Sequence, residues 1–156
     1  MPNASKALLI APPTPPPPPV VLPPFGASLF FGNSVVGNAA DVRYLSPGYE
    51  NEIAGTDDRL FMVLPFDGEI RNFFYRRGIG AVGNDILYEL LLGTSTVVAS
   101  FTLSPGTPAA QVILVTPVTF VAGDVLQVRV TKANPTSSPG LVVTSVGVLF
   151  FPPLIP

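Results

Sequence analysis

The sequence predicts an all-β sandwich behind an extended proline-rich arm, and three observations carry that prediction. From about residue 25 onward, short β-branched and aromatic runs alternate with Gly, Pro and Asp turns. No long amphipathic helical period interrupts them. Ten of the chain's twenty prolines fall in the first 24 residues, where Lys6 is the only charge before Asp41. The 156 residues allow one ordinary domain plus the arm, so the chain divides into an arm, 1–24, and a head, 25–156.

The arm opens with an apolar triplet, Leu8-Leu9-Ile10, and a second one, Val20-Val21-Leu22, stands just before Pro23-Pro24. Between them run Pro12, Pro13, Pro15, Pro16, Pro17, Pro18 and Pro19. Proline fixes φ and lacks a backbone N–H, so this stretch forms neither a helix nor a central strand. It is expected to be a stiff polyproline II spacer, residues 11–19 spanning roughly 28 Å at ~3.1 Å per residue. A spacer carrying a hydrophobic plug at its far end is suited to reaching another molecule, so all six residues of the two triplets are candidate inter-subunit docking residues.

The head's elements follow in order. Phe25 to Gly32 begins a first strand, and Val42-Arg43-Tyr44 sits in another apolar stretch. Residues 46–58 concentrate turn formers and acids and predict a surface loop. Leu60 to Phe66 and Glu69 to Arg76 predict two strands of a hairpin turning at Asp67-Gly68. Ile86 to Leu92 is short for a helix and typical of a strand. Residues 94–103 are β-branched, Ser104-Pro105-Gly106-Thr107-Pro108 is a turn, and Gln111 to Thr116 is a strand closed by Pro117. Residues 125–131 alternate cleanly, with Leu126, Val128 and Val130 on one side and Gln127, Arg129 and Thr131 on the other. Leu141 to Phe151 is the last strand. About eight short strands with Gly and Pro turns predict a sandwich of the jelly-roll kind.

Several strands are apolar on both faces. Phe73 and Tyr75 oppose Ile70 and Phe74, and Leu87 and Leu91 oppose Ile86, Tyr88, Leu90 and Leu92. A two-layer sandwich leaves one strand face wet, so the pattern predicts a sheet covered by other copies, with Phe73, Tyr75, Leu87 and Leu91 as trimer-interface candidates. Charged residues make up 12% and apolar residues 47%, which also favours self-association over a lone domain.

Composition also excludes. Eight Lys and Arg form no basic stripe, and the net charge is −2, which argues against nucleic acid. No apolar run has membrane length. There is no Cys and no His, so thiolate metal sites and the usual base-activated nucleophiles are missing. Glu50 with Glu52, or Asp57 with Asp58, could be drawn as a glycosidase pair, but such close acids in a loop are usually solvated turn formers, and no enzyme and no cofactor are expected. Asp41, Glu50, Glu52, Asp57 and Asp58 could supply oxygens to Ca²⁺, although no metal site is expected. The N-terminus does not read as a secretory signal peptide. An extracellular destination would then need another route, such as release when a mother cell lyses.

Two stretches carry a family resemblance. Leu64-Pro65-Phe66-Asp67-Gly68-Glu69-Ile70-Arg71-Asn72-Phe73 and Val121-Ala122-Gly123-Asp124-Val125-Leu126-Gln127-Val128-Arg129-Val130 resemble the globular tip of collagen-like spore-surface proteins, the BclA-like head. That head belongs with the trimeric jelly rolls of complement-type and tumour-necrosis-factor-like proteins. The arm, with Leu9-Ile10-Ala11-Pro12-Pro13-Thr14-Pro15 and Val21-Leu22-Pro23-Pro24-Phe25, is similar to the leader that attaches such proteins to the exosporium. No Gly-X-Y collagen region lies between arm and head, which makes the chain resemble the subunit of thin, F-type endospore-appendage fibres.

The resemblance implies a homotrimer stacked head to tail on the spore surface, each arm docking into the preceding trimer. An anchoring exosporium protein and a collagen-like tip protein are the other implied partners; nucleic acid and membrane are not. Nine docked side chains would contribute on the order of 15–25 kcal/mol gross, before ordering costs that a preformed rod keeps low. Head-to-tail contact does not close on itself and so propagates. Two alternatives stand beside this reading: an adhesive or receptor-binding tip anchored by its leader, and a phage or viral spike.

Overall fold

A computed structural model of the chain describes residues 15, 18, 20–33, 41–50, 53–54, 61–77, 84–107, 109–132 and 142–153. Among these are ten strands and no helix: β1 (Phe25–Asn33), β2 (Asp41–Glu50), β3 (Ile53–Ala54), β4 (Met62–Val63), β5 (Asp67–Arg77), β6 (Ile86–Leu92), β7 (Thr96–Leu103), β8 (Ala109–Phe120), β9 (Val125–Lys132) and β10 (Val142–Phe151). The all-β expectation holds.

Two antiparallel sheets share β2. In the first, β1 pairs with β10, β10 with β5 and β5 with β8. In the second, β9 lies between β2 and β6, β6 pairs with β7, and the short β3 and β4 add to β2 and β9. The first half of β2, Asp41 to Leu45, runs antiparallel to β9, whereas Gly48 to Glu50 runs parallel to the end of β1. The strand changes sheet across Ser46-Pro47-Gly48, and Gly48 has φ +76°, a conformation that costs a side-chain-bearing residue strain.

The inner faces of the two sheets meet around aromatic rings. Phe73 of β5 lies 5.0 Å from Phe101 of β7, and Tyr75 of β5 lies 4.9 Å from Tyr88 of β6, centroid to centroid. Leu126, Val128 and Val130 of β9 and Val146, Val148 and Phe150 of β10 complete the buried layer. The period-2 reading of residues 125–131 is met on its apolar side; Gln127, expected on the wet side, is buried as well.

A bulge corrects the reading of two dry faces in β5. Opposite β10, the register of β5 slips between Ile70 and Asn72, with Arg71 as the extra residue. Ile70 therefore shares the core side with Phe73 and Tyr75, although strict alternation would oppose them. Opposite β6 the extra residue is Val98 of β7, while β6 keeps its register with β9. Leu90 joins the core cluster, and Leu91, paired with the buried Gln127, is buried outside that cluster. The side chains of Phe73 and Tyr75 are enclosed in the sandwich core, that of Leu91 is buried outside the core cluster, and none of the three is free for a partner; Leu87 is half-buried. As trimer-interface side chains, those three are corrected.

Three local expectations also change. Asp67-Gly68 is not a hairpin turn: both residues lie in β5, and β4 pairs with β9 in the other sheet. Gly68 is needed for close approach, because a Cβ there would overlap the Leu149 carbonyl oxygen and the Phe120 ring. Pro117 does not close β8 but sits inside it, where register jumps from Ile113 to Val118. An end strand at an irregularity tolerates a missing N–H. Of the expected loop at 46–58, residues 46–50 belong to β2 and Ile53–Ala54 form β3.

Candidate assembly surfaces

The arm meets the head at Phe25, where β1 starts. At its root Val20, Val21 and Leu22 are all exposed, Val21 by 71%, and Pro15 and Pro18 of the spacer are exposed too. Leu8, Leu9, Ile10, Pro12, Pro13, Pro16, Pro17 and Pro19 lie outside the described residues.

The two stretches that carried the resemblance meet in space beside this root. The Leu64 N–H donates to the Asp124 carbonyl at 2.8 Å, and the Gly123 N–H donates to the Leu64 carbonyl at 2.8 Å. The Asp67 carboxylate accepts the Ala122 N–H at 2.8 Å, and the Asp124 carboxylate accepts the Val121 N–H at 2.9 Å. Gly123 has φ +93°, which explains the glycine in the Ala-Gly-Asp entry to β9. This clasp ties the segment before β5 to the turn before β9, so the motif is a structural fastening at the arm-root end of the head.

The outer side of the first sheet carries small residues and open clefts. Ser28, Gly147 and Asn72 lie side by side across β1, β10 and β5, as do Phe30, Ser145 and Phe74 one step further on. A cleft of about 370 Å³ lies over Gly26, Ser28, Asn72 and Gly147. A second, of about 510 Å³, is lined by Phe74, Tyr75, Arg76, Ala109, Ala110, Gln111 and Ser145, toward the end of the sheet away from Phe25. Its size falls in the ~300–1,000 Å³ range typical of ligand-holding cavities, and its lining is mostly apolar.

Three apolar side chains stand out on this sheet: Phe30 is 52% exposed, Ile113 68% and Val115 98%. The sequence reading did not single them out as exposed apolar residues. Their signal lay in residues 111–116, apolar at both parities, with Val112 and Leu114 against the core and Ile113 and Val115 outward. On the second sheet, Arg129 donates from Nε to Glu89 Oε2 at 2.7 Å across adjacent strands. That hydrogen bond, with smaller contributions from Tyr44, raises the arginine's pKa and keeps its charge firmly in place. Burial raises the Tyr88 phenol well above its ordinary value, and neighbouring Tyr75 adds to the shift.

The acids considered for calcium or catalysis are not assembled into a described site. Asp41 and Glu50 stand at opposite ends of β2, and Glu52, Asp57 and Asp58 lie outside the described residues. Among the described residues no cluster of acids could hold a metal ion, and no helix is long and apolar enough to cross a membrane. No protein-family model matches the chain, and a search of curated proteins finds no match.

Proposed function

We propose that this chain is the structural subunit of a self-assembling extracellular fibre on bacterial endospores, with its head a jelly roll that forms trimers. The observation that carries the reading is the exposed Val20-Val21-Leu22 root on a proline spacer, leaving one end of the head in a chain with only 12% charged residues. The strand order supports the jelly roll. The chain crosses between sheets from β5 to β6, from β7 to β8, from β8 to β9 and from β9 to β10, so that β1-β10-β5-β8 faces β4-β9-β6-β7.

In this reading three heads bury Phe30, Ile113 and Val115 around a threefold axis. Each buried side chain contributes ~1.5–3 kcal/mol at full burial. Three arms leave the Phe25 end, and each carries its Leu8-Leu9-Ile10 triplet to the preceding trimer. The apolar cleft beside Phe74 and Ala110 is the acceptor best suited to such a plug, because its lining residues lie toward the end of the sheet remote from Phe25. A heterologous contact repeated around the threefold axis closes the trimer, whereas head-to-tail docking along that axis does not close and continues into a filament.

Negative-stain microscopy of the purified recombinant chain tests the reading. Fibres formed without any second protein support it. Uniform particles of trimer mass that never elongate would refute it and favour the anchored adhesive tip.

A further inference from the structure

Strand register brings Phe25, Phe150, Gly68 and Phe120 together at one end of the head. On that end face Val63 is 54% exposed, Val121 60%, Phe25 43% and Phe151 40%. With the arm root beside them, they account for more than half of the exposed large apolar side chains among the described residues. The face is preformed: the Phe25, Phe66 and Phe150 rings pack at 5.3–6.1 Å, and the clasp holds the turn that carries Val121. A pocket of about 190 Å³ opens in it between Pro65, Phe66, Ala122 and Phe151. The acids on it, Asp67 and Asp124, are both engaged by backbone N–H groups of that turn.

A contiguous apolar end of this kind on a chain with few charges marks a contact surface. The arm selects its occupant. The tether leaves from this face at Phe25, and the proline run in the sequence of residues 11–19 would reach roughly 28 Å at ~3.1 Å per residue as a polyproline II rod. A copy that holds the tip of such a rod is confined to the side of the head from which the rod departs. We propose that this end face, centred on Val63, Val121 and Phe151, is the seat of the preceding copy of this chain. The inference rests on the fibre reading and adds a second contact to it: the heads abut, and are not merely strung together by their arms.

The experiment compares the full-length wild-type chain with Val121→Lys and, separately, Val63→Lys. Both positions are more than half exposed, so the fold tolerates the change. Circular dichroism checks the β signal, light scattering after size exclusion gives the particle mass, and microscopy gives fibre length. The expected result is an unchanged trimer mass with fibres at least tenfold shorter, at equal concentration, for each variant. Wild-type fibres together with variant fibres of the same length would overturn the end face while leaving the fibre reading intact. A wild-type chain that forms no fibres would overturn the fibre reading and the seat with it.

Discussion

The Gly147 backbone N–H donates to the Asn72 side-chain oxygen at 3.0 Å, where β10 and β5 slip register. The bulged Arg71 would otherwise leave that N–H without a ladder partner, so a side chain supplies what the backbone cannot. A Cβ on Gly147 would overlap the Asn72 amide, which is why the pair reads Asn and Gly. Asn72→Ala is expected to cost about 1 kcal/mol, lowering Tm by about 2–4 °C. Differential scanning calorimetry of the full-length variant checks this; an unchanged Tm would mean that solvent satisfies the N–H.

The close approach at Gly68 makes a second prediction. Gly68→Ala forces the Leu149 carbonyl and the Phe120 ring apart and is expected to cost about 1–3 kcal/mol. Gly26→Ala meets only the Val148 carbonyl oxygen, at 3.9 Å, and is expected to leave Tm unchanged or slightly raised. Melting both variants side by side separates packing from backbone flexibility.

Tyr88 sets the alkaline limit of the head. Its folded-state pKa is raised above the ordinary 10.0 by burial and by the neighbouring Tyr75. Unfolding exposes a phenol that ionises sooner, so the stability is complete below about pH 10 and is lost as pH climbs through the folded value. Titration followed by tyrosinate absorbance should show Tyr88 ionising together with loss of the β signal. Ionisation at pH 10 with the fold intact would contradict its burial.

The trimer contact has its own test. Val115→Asp and Ile113→Asp place carboxylates where three copies are proposed to meet, and both are expected to give monomers by light scattering with the β signal retained. Trimers that persist in both variants would move the interface away from β8.

The strands were legible because turn residues bracket β-branched runs; β6, β7, β9 and β10 lie within a residue or two of where those runs place them. The faces were less legible, because one inserted residue reverses inside and outside. Arg71 puts Ile70 and Phe73 on the same side, and Val98 is the extra residue of β7 opposite Leu90 and Leu91. Composition carries no mark of a bulge. Asp67-Gly68 has hairpin chemistry, but its glycine answers a carbonyl and a ring that arrive from residues 149 and 120, too far along the chain to be read locally. The arm was conspicuous for the opposite reason, since proline acts through its own ring and needs no distant partner.

Removing the arm tests the central claim most directly. A chain lacking residues 1–19 keeps β1 and the whole head, and negative-stain microscopy should find soluble trimers that never elongate under conditions in which the full chain forms fibres. Fibres of ordinary length from the truncated chain would contradict an arm that joins one copy to the next.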